Sequence, residues 1–253
     1  MSTTTALPEW DSGWALFLDV DGTLVDIERH PDEVRAAPEL KQILAAASRA
    51  LGGALALVSG RAIASVDRIF APLCLPAAGL HGLERRDADG RVHYPSGYAE
   101  RIAVARAELL GFVQSEAGLL LEDKGAALAL HYRNAPQLEA ECRRHMDLAL
   151  CAAGADFHVQ HGKMVLELKP SGHDKGTAIL AFMAEAPFHG RRPVFIGDDL
   201  TDEDGFRVVN QLDGLSIRVG VHPGTTARIV AGDVAAVRRW LSASMERIDV
   251  STA

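Results

Sequence analysis

The chain has 253 residues, 48% hydrophobic and 24% charged, with a formal net charge of −8. That suits one large soluble globular domain, or a core with a smaller insert, and argues against a broad nucleic-acid surface or a membrane span. Met1–Gly13 lacks the basic and apolar regions of a secretory signal, and Cys74, Cys142 and Cys151 form no CxxC pair, so a reducing cytoplasm is expected and a disulfide framework or zinc site is not.

In chain order, Leu16–Leu18 reads as an apolar strand running straight into Asp19, Asp21 and a turn at Gly22. A turn-rich stretch from Pro31 to Pro38 follows. Pro38 opens a helix whose Leu40, Ile43, Leu44 and Ala47 mark one face, and Gly52-Gly53 breaks it. Ala54–Val58 is a second short strand, ending in Ser59-Gly60-Arg61. A helix with Ile63, Val66, Ile69 and Phe70 inward comes next, then a third strand over Leu73–Ala78. Strands alternating with helices predict a parallel, doubly wound sheet.

The pattern then changes. Glu84–Tyr94 reads as a polar hairpin turning at Asp89-Gly90. A helix over about Tyr98–Ala117 carries Ile102, Leu109, Leu110 and Val113, and strands follow at Leu119–Lys124 and Ala126–Arg133. A helix after Pro136 carries Leu138, Cys142, Met146 and Leu150, and two more strands span Asp156–Gln160 and Lys163–Lys169. These elements form an α+β insert over about residues 95–171. Its strands alternate, so Leu128, Leu130, Tyr132, Met164, Leu166 and Leu168 face its helices. Lys124, His131, Arg133, Lys163 and Glu167 fall on the other face, and the bare pattern leaves open whether that face is merely solvated or binds something.

The alternating pattern resumes after Pro170. Asp174-Lys175 opens a helix, Pro193–Ile196 is a strand ending in Gly197-Asp198-Asp199, and Thr201–Asp204 caps another helix. Leu215–Val219 is a further strand, and Asp233–Ser244 closes the chain as a helix. The expected fold is therefore α/β, a Rossmann-like parallel-sheet core over residues 1–94 and 172–253 with an inserted cap over 95–171.

Open parallel sheets bind ligands beyond the carboxyl ends of their strands. Asp19 with Asp21, Ser59 with Arg61, and Asp198 with Asp199 all fall at such ends, and Lys175 begins a helix where backbone donors favour an anion. Each cluster alone is commonplace; their order is what carries the reading. Converging aspartates repel one another. A hard divalent cation resolves this, and all-oxygen ligation suits Mg²⁺. With Lys175 it would admit a phosphate group.

Asp19-Val-Asp-Gly-Thr23, Ser59-Gly-Arg61, Lys175 and Gly197-Asp-Asp-Leu-Thr-Asp202 resemble the four motifs of the haloacid dehalogenase-like phosphatases. Gly79-Leu-His-Gly-Leu-Glu84, Glu122-Asp-Lys124, Leu130-His-Tyr-Arg133, Gly162-Lys163 and Glu167-Leu-Lys-Pro170 are similar to the trehalose-6-phosphate phosphatase family within that superfamily. The resemblance extends from about Leu16 to Leu241. It implies Asp19 as nucleophile, Asp21 as general acid and base, and Ser59 and Lys175 on the phosphoryl oxygens. It implies Mg²⁺ on Asp19, Asp198 and the Asp21 carbonyl, with Asp199 and Asp202 holding metal waters and orienting Lys175, and Arg61 bracing its loop by a salt bridge. It implies that Lys124, Arg133, Lys163 and Glu167 grip sugar hydroxyls, with closure about points near Pro95–Gly97 and Pro170–Gly172. A monomeric cytoplasmic enzyme completing trehalose biosynthesis from trehalose 6-phosphate is the expectation. The rivals are another sugar phosphatase, a phospho-acceptor module and a non-catalytic sugar-phosphate binder; Asp21 and the insert count against the second.

Overall fold

The computed structural model describes residues 6–28, 34–94 and 97–251. Pro31 of the expected turn-rich stretch and Pro95 of the first expected closure point lie outside the described residues. The chain divides into two compact units, Met1–His93 with Asp174–Ala253, and Tyr94–His173.

In the first unit, β1 (Trp14–Leu18) is buried along its whole length, as a strand covered on both faces must be. α1 (Pro38–Ala50) has proline in its first turn and buries Leu40, Leu44 and Ala47. β2 (Leu55–Val58) is fully buried, and α2 (Ile63–Phe70) buries Ile63, Val66, Ile69 and Phe70. β3 is shorter than the apolar run from Leu73 suggests. It spans Ala77–Gly79, with pairing to β2 beginning at Ala77; Pro76, just before it, has no N–H to give a ladder. β4 (Glu84–Arg86) and β5 (Val92–His93) form the expected hairpin, antiparallel, with Gly90 at φ +83° in the turn.

The second unit contains α3 (Ala99–Ser115), β6 (Leu120–Asp123), β7 (Leu128–His131), α4 (Glu139–Ala153), β8 (Phe157–Gly162) and β9 (Val165–Pro170). Its sheet is antiparallel throughout, in the order β6-β7-β9-β8. Leu128, Leu130, Leu166 and Leu168 join Ile102, Ala105, Leu109, Phe112, Cys142 and Met146 in one core. The buried stripe of α3 steps through 102, 105, 109 and 112, so Leu110 lies about 100° around from Leu109 and is exposed. Lys163 and Met164 are not strand residues. They form the two-residue turn between Gly162 and Val165, with Met164 at φ +62°.

The first unit then resumes with α5 (Lys175–Met183), β10 (Arg192–Gly197), α6 (Asp202–Gln211), β11 (Leu215–Val219), β12 (Ile229–Ala231) and α7 (Val234–Ser251). α7 runs past the expected end at Ser244, and β12 is a three-residue strand too short to leave a periodic signal. The sheet order is β12-β11-β10-β1-β2-β3-β4-β5, with β12 through β3 parallel. Strand order reverses at β1, which has β10 on one side and β2 on the other, and such a switch point opens a crevice at the carboxyl ends. Trp10, Trp14 and Trp240 gather at one end of this unit with ring centroids 5.9 to 6.3 Å apart. Among the described residues no helix is long and apolar enough to cross a membrane.

The centre of the first core is aromatic. The Phe17 ring lies 5.5 Å from Phe188 and 5.9 Å from Phe182, and all three are fully buried. Phe17→Ala is expected to destabilise the first unit by about 3–5 kcal/mol, read as a fall in the denaturation midpoint without loss of the second unit's helical signal.

Candidate active site

The switch point puts the ends of β1 and β10 side by side, with the Asp19 N–H donating to the Ile196 carbonyl at 2.9 Å. Asp19, Asp21, Ser59, Arg61, Lys175 and Asp198 line one cavity of about 500 Å³. Asp19 is 4% exposed and Lys175 3%, against none for Asp202. Lys175 Nζ donates to Asp19 Oδ1 at 2.8 Å and to Asp202 Oδ1 at 2.6 Å. The sequence fixes Lys175 at the start of α5 through a capping box. The Asp174 carboxylate accepts from Thr177 N at 2.7 Å, and Asp174 N donates to the Thr177 hydroxyl at 2.9 Å.

Ser59 is buried, and its oxygen accepts from Arg61 N at 3.1 Å, leaving its hydroxyl O–H as a donor. Arg61 does more than brace its loop. Its Nε and Nη2 donate to both Asp21 oxygens, at 2.6 and 2.7 Å, a two-pronged pair that fixes the carboxylate as an acceptor. Asp202 serves the acidic loop as well as Lys175, because its Oδ2 accepts from the N–H groups of Asp198 and Asp199 at 2.9 and 2.8 Å. Asp199 also lines the cavity. Its carboxylate is exposed and accepts from Leu200 N at 2.7 Å, and the Lys175 ammonium bonds Asp19 and Asp202 rather than Asp199. Gly22, at φ +77°, is required by close approach, since a Cβ there would overlap the Asp198 carboxylate.

Three site groups had no assigned role in the sequence. His81 lines the cavity from a backbone in which it and Leu80 both have positive φ, +55° and +49°, strain of the kind that collects at functional sites. Thr23 is buried and its hydroxyl reaches Asp198 Oδ1 at 3.5 Å. Arg218, at the end of β11, donates to carbonyls of the acidic loop.

The electrostatics identify a deficit of positive charge. Burial raises the Asp19 pKa to about 6 despite Lys175, with Asp198 adding to the rise. Burial raises Asp202 to about 7, with Asp19 adding to it, and Asp198 is also raised by burial and by Asp202. Burial alone would lower the Lys175 pKa, but Asp19 and Asp202 outweigh it and hold the ammonium above its ordinary value. One cation does not balance three carboxylates whose oxygens lie within 4.8 Å of one another. An all-oxygen donor set with uncompensated negative charge fits a hard divalent cation.

A model of the trehalose-phosphatase family matches residues 17–234. The chain belongs to that family. It is 53% identical over 209 residues to a probable trehalose-phosphate phosphatase of Sinorhizobium fredii, covering 82% of this chain and 78% of the relative. It is 44% identical over 240 residues to trehalose-6-phosphate phosphatase of Escherichia coli, covering 94% and 88%. Among solved structures it is similar to a trehalose-6-phosphate phosphatase related protein, at TM-score 0.74 and 27% identity over 94% of this chain and 99% of that one. The C-terminal domain of the Candida albicans trehalose-6-phosphate phosphatase shares the fold, at TM-score 0.71 and 20% identity over 92% and 93%.

In the second unit, the register aligns Glu122, Ala129, Glu167 and Gln160 in one row across the outer sheet face. Lys124 Nζ pairs with Glu167 at 2.9 Å, both part-buried, and His131 Nε2 lies 3.0 Å from Glu122. Arg133 and Lys163 lie outside the paired strands. Strand pairing of β7 ends at His131, which leaves Arg133 in the following turn, and Lys163 sits at the β8–β9 turn; both are exposed.

The acids give a signed pH dependence. Asp19 and Asp202 bind protons more tightly folded than unfolded, so their contribution to stability falls as pH rises through the interval between the ordinary carboxylate value and about 6 to 7. In metal-free protein this contribution should lower Tm from about pH 5 to about pH 7. Added Mg²⁺ should recover more of the loss at the higher pH, in thermal scans with and without EDTA.

Proposed function

We propose that this chain hydrolyses trehalose 6-phosphate to trehalose and phosphate, the last step of trehalose biosynthesis, with Mg²⁺ as cofactor and an aspartyl-phosphate intermediate on Asp19. The observation that carries the reading is the buried Asp19–Lys175–Asp202 group beside Ser59, with Asp21 two residues on in the same cavity. Relatives at 53% and 44% identity named as phosphatases of this substrate support it.

Ser59 and Lys175 bind the phosphoryl oxygens as charge shifts onto them. Lys175 engages Asp19 Oδ1; an Asp19 oxygen attacks phosphorus while the bond to the sugar oxygen breaks. Asp21 gives that oxygen a proton. It then takes a proton from the water that attacks phosphorus, and the Asp19–phosphorus bond breaks to release phosphate. Arg61 donates to both Asp21 oxygens, the acceptor state that suits the second half; for the first half Asp21 enters as the protonated acid, its O–H turned from Arg61 to the leaving oxygen. Asp19, Asp198 and the Asp21 carbonyl would hold Mg²⁺, which when bound offsets the charge of the phosphoryl group. Lys124 and Glu167 supply donors and acceptors for the hydroxyls of a neutral disaccharide, with the exposed Arg133 and Lys163 as further donors.

The deciding assay is phosphate release from trehalose 6-phosphate, sucrose 6-phosphate, glucose 6-phosphate and p-nitrophenyl phosphate, with Mg²⁺ and with EDTA. Strong preference for trehalose 6-phosphate, lost in EDTA, is expected, and Asp19→Asn should reduce turnover by at least about a thousandfold. Metal-dependent activity without the preference would retain the core chemistry and discard the substrate.

Glu167→Ala separates recognition from chemistry. Its kcat/KM for trehalose 6-phosphate should fall by about 10- to 100-fold, with p-nitrophenyl phosphate changed by no more than about twofold. Equal losses on both substrates would remove the second unit from recognition.

A further inference from the structure

Arg218 belongs to none of the four motifs, yet it reaches the acidic loop from below. It is 5% exposed and pairs in register with Gly197, the residue before Asp198. Its Nη1 donates to the Asp199 carbonyl at 3.2 Å and its Nη2 to the Asp198 carbonyl. The same Nη1 lies 3.2 Å from Glu203 Oε1. Glu203 is itself fully engaged, accepting from the Thr225 hydroxyl, Thr226 N and the Thr226 hydroxyl, each at 2.7 Å.

The acidic loop is therefore gripped on both edges of its peptide groups. Asp202 takes the N–H groups of residues 198 and 199, and Arg218 takes their carbonyls. Each grip has the charge its edge demands, an anion on donors and a cation on acceptors. Glu203 and the Thr225–Thr226 turn in turn fix the guanidinium, which holds the loop from outside the cavity; Arg218 is absent from the cavity lining. A fork with five donors is suited to two carbonyls and a carboxylate at once, and an ammonium is not.

We propose that Arg218 is a positioning residue for the cation site, setting the Asp198 carboxylate through the backbone of its loop, with Glu203, Thr225 and Thr226 as the brace that aims it. The inference rests on the reading that Asp19 and Asp198 hold a divalent cation. Partners one step removed from a metal ligand change metal affinity by about 10- to 100-fold when removed, and Arg218 also places a positive charge near a cluster short of one.

The test is Mn²⁺ binding to the full chain followed by electron paramagnetic resonance, beside Mg²⁺-dependent thermal shifts, for the unaltered protein, Arg218→Met, Arg218→Lys and Thr226→Val. Arg218→Met is expected to weaken Mn²⁺ about tenfold or more and to recover turnover at saturating Mg²⁺ to within about threefold of the unaltered chain. Arg218→Lys should fall between the two. Thr226→Val acts at an exposed position and keeps the test open if Arg218→Met does not fold; it should weaken Mn²⁺ by about threefold, the worth of one modest hydrogen bond. No Mn²⁺ binding by the unaltered chain would overturn the cation reading and this inference with it. Unchanged Mn²⁺ affinity in folded Arg218→Met, or in Thr226→Val where the former does not fold, would overturn the inference alone. So would a loss of turnover in Arg218→Met that saturating Mg²⁺ does not restore.

Discussion

One buried ammonium governs the core. Lys175 Nζ sits between Asp19 and Asp202, all three almost entirely out of water. Ions in such a place are tolerated only when every oxygen and proton has a partner. The surroundings are arranged accordingly. Asp202 spends its second oxygen on two loop amides, and the capping box at Asp174 fixes where the lysine stem begins. The first unit's sheet is built so that β1 and β10, whose ends carry the acids, are neighbours at its reversal point. A residual excess of negative charge is left over, and it is the feature that suits the pocket to a cation rather than to a second lysine.

The two units differ in the chemistry their surfaces offer. The first gathers carboxylates, a hydroxyl, a guanidinium and an ammonium around one cavity. The second carries an antiparallel sheet with one face sealed against α3 and α4 and the other set with paired charges such as Lys124–Glu167. A face of donors and acceptors has chemistry matched to hydroxyls and little to offer phosphorus.

Much of this was legible in the residues. Buried parallel strands read as short apolar runs, helices as stripes at 3.6-residue spacing, and the acids appear where those strands stop. What escaped has specific causes. The apolar run from Leu73 gives a three-residue strand because proline interrupts the ladder. Lys163 and Met164 keep the alternation of a strand on paper, yet the chain reverses there. Arg133 continues the same alternation after pairing has ended. Asp199 reads like its neighbours in the sequence, yet its carboxylate accepts from the backbone of its own turn. Arg218 carried no signal because its value lies in which carbonyls stand opposite it, a matter of register between β10 and β11.

The tryptophan cluster has a practical meaning. The chain has three tryptophans, and Trp10, Trp14 and Trp240 all belong to the first unit, packed against one another with the Trp240 N–H bonded to the Pro8 carbonyl at 2.8 Å. Indole emission is therefore an intrinsic spectroscopic label for one unit and is dark to the other. A fluorescence unfolding curve records the first unit, whereas circular dichroism, to which α3 and α4 contribute, records both. Where the two curves separate, the gap between them measures the second unit melting by itself, without any dye or added chromophore.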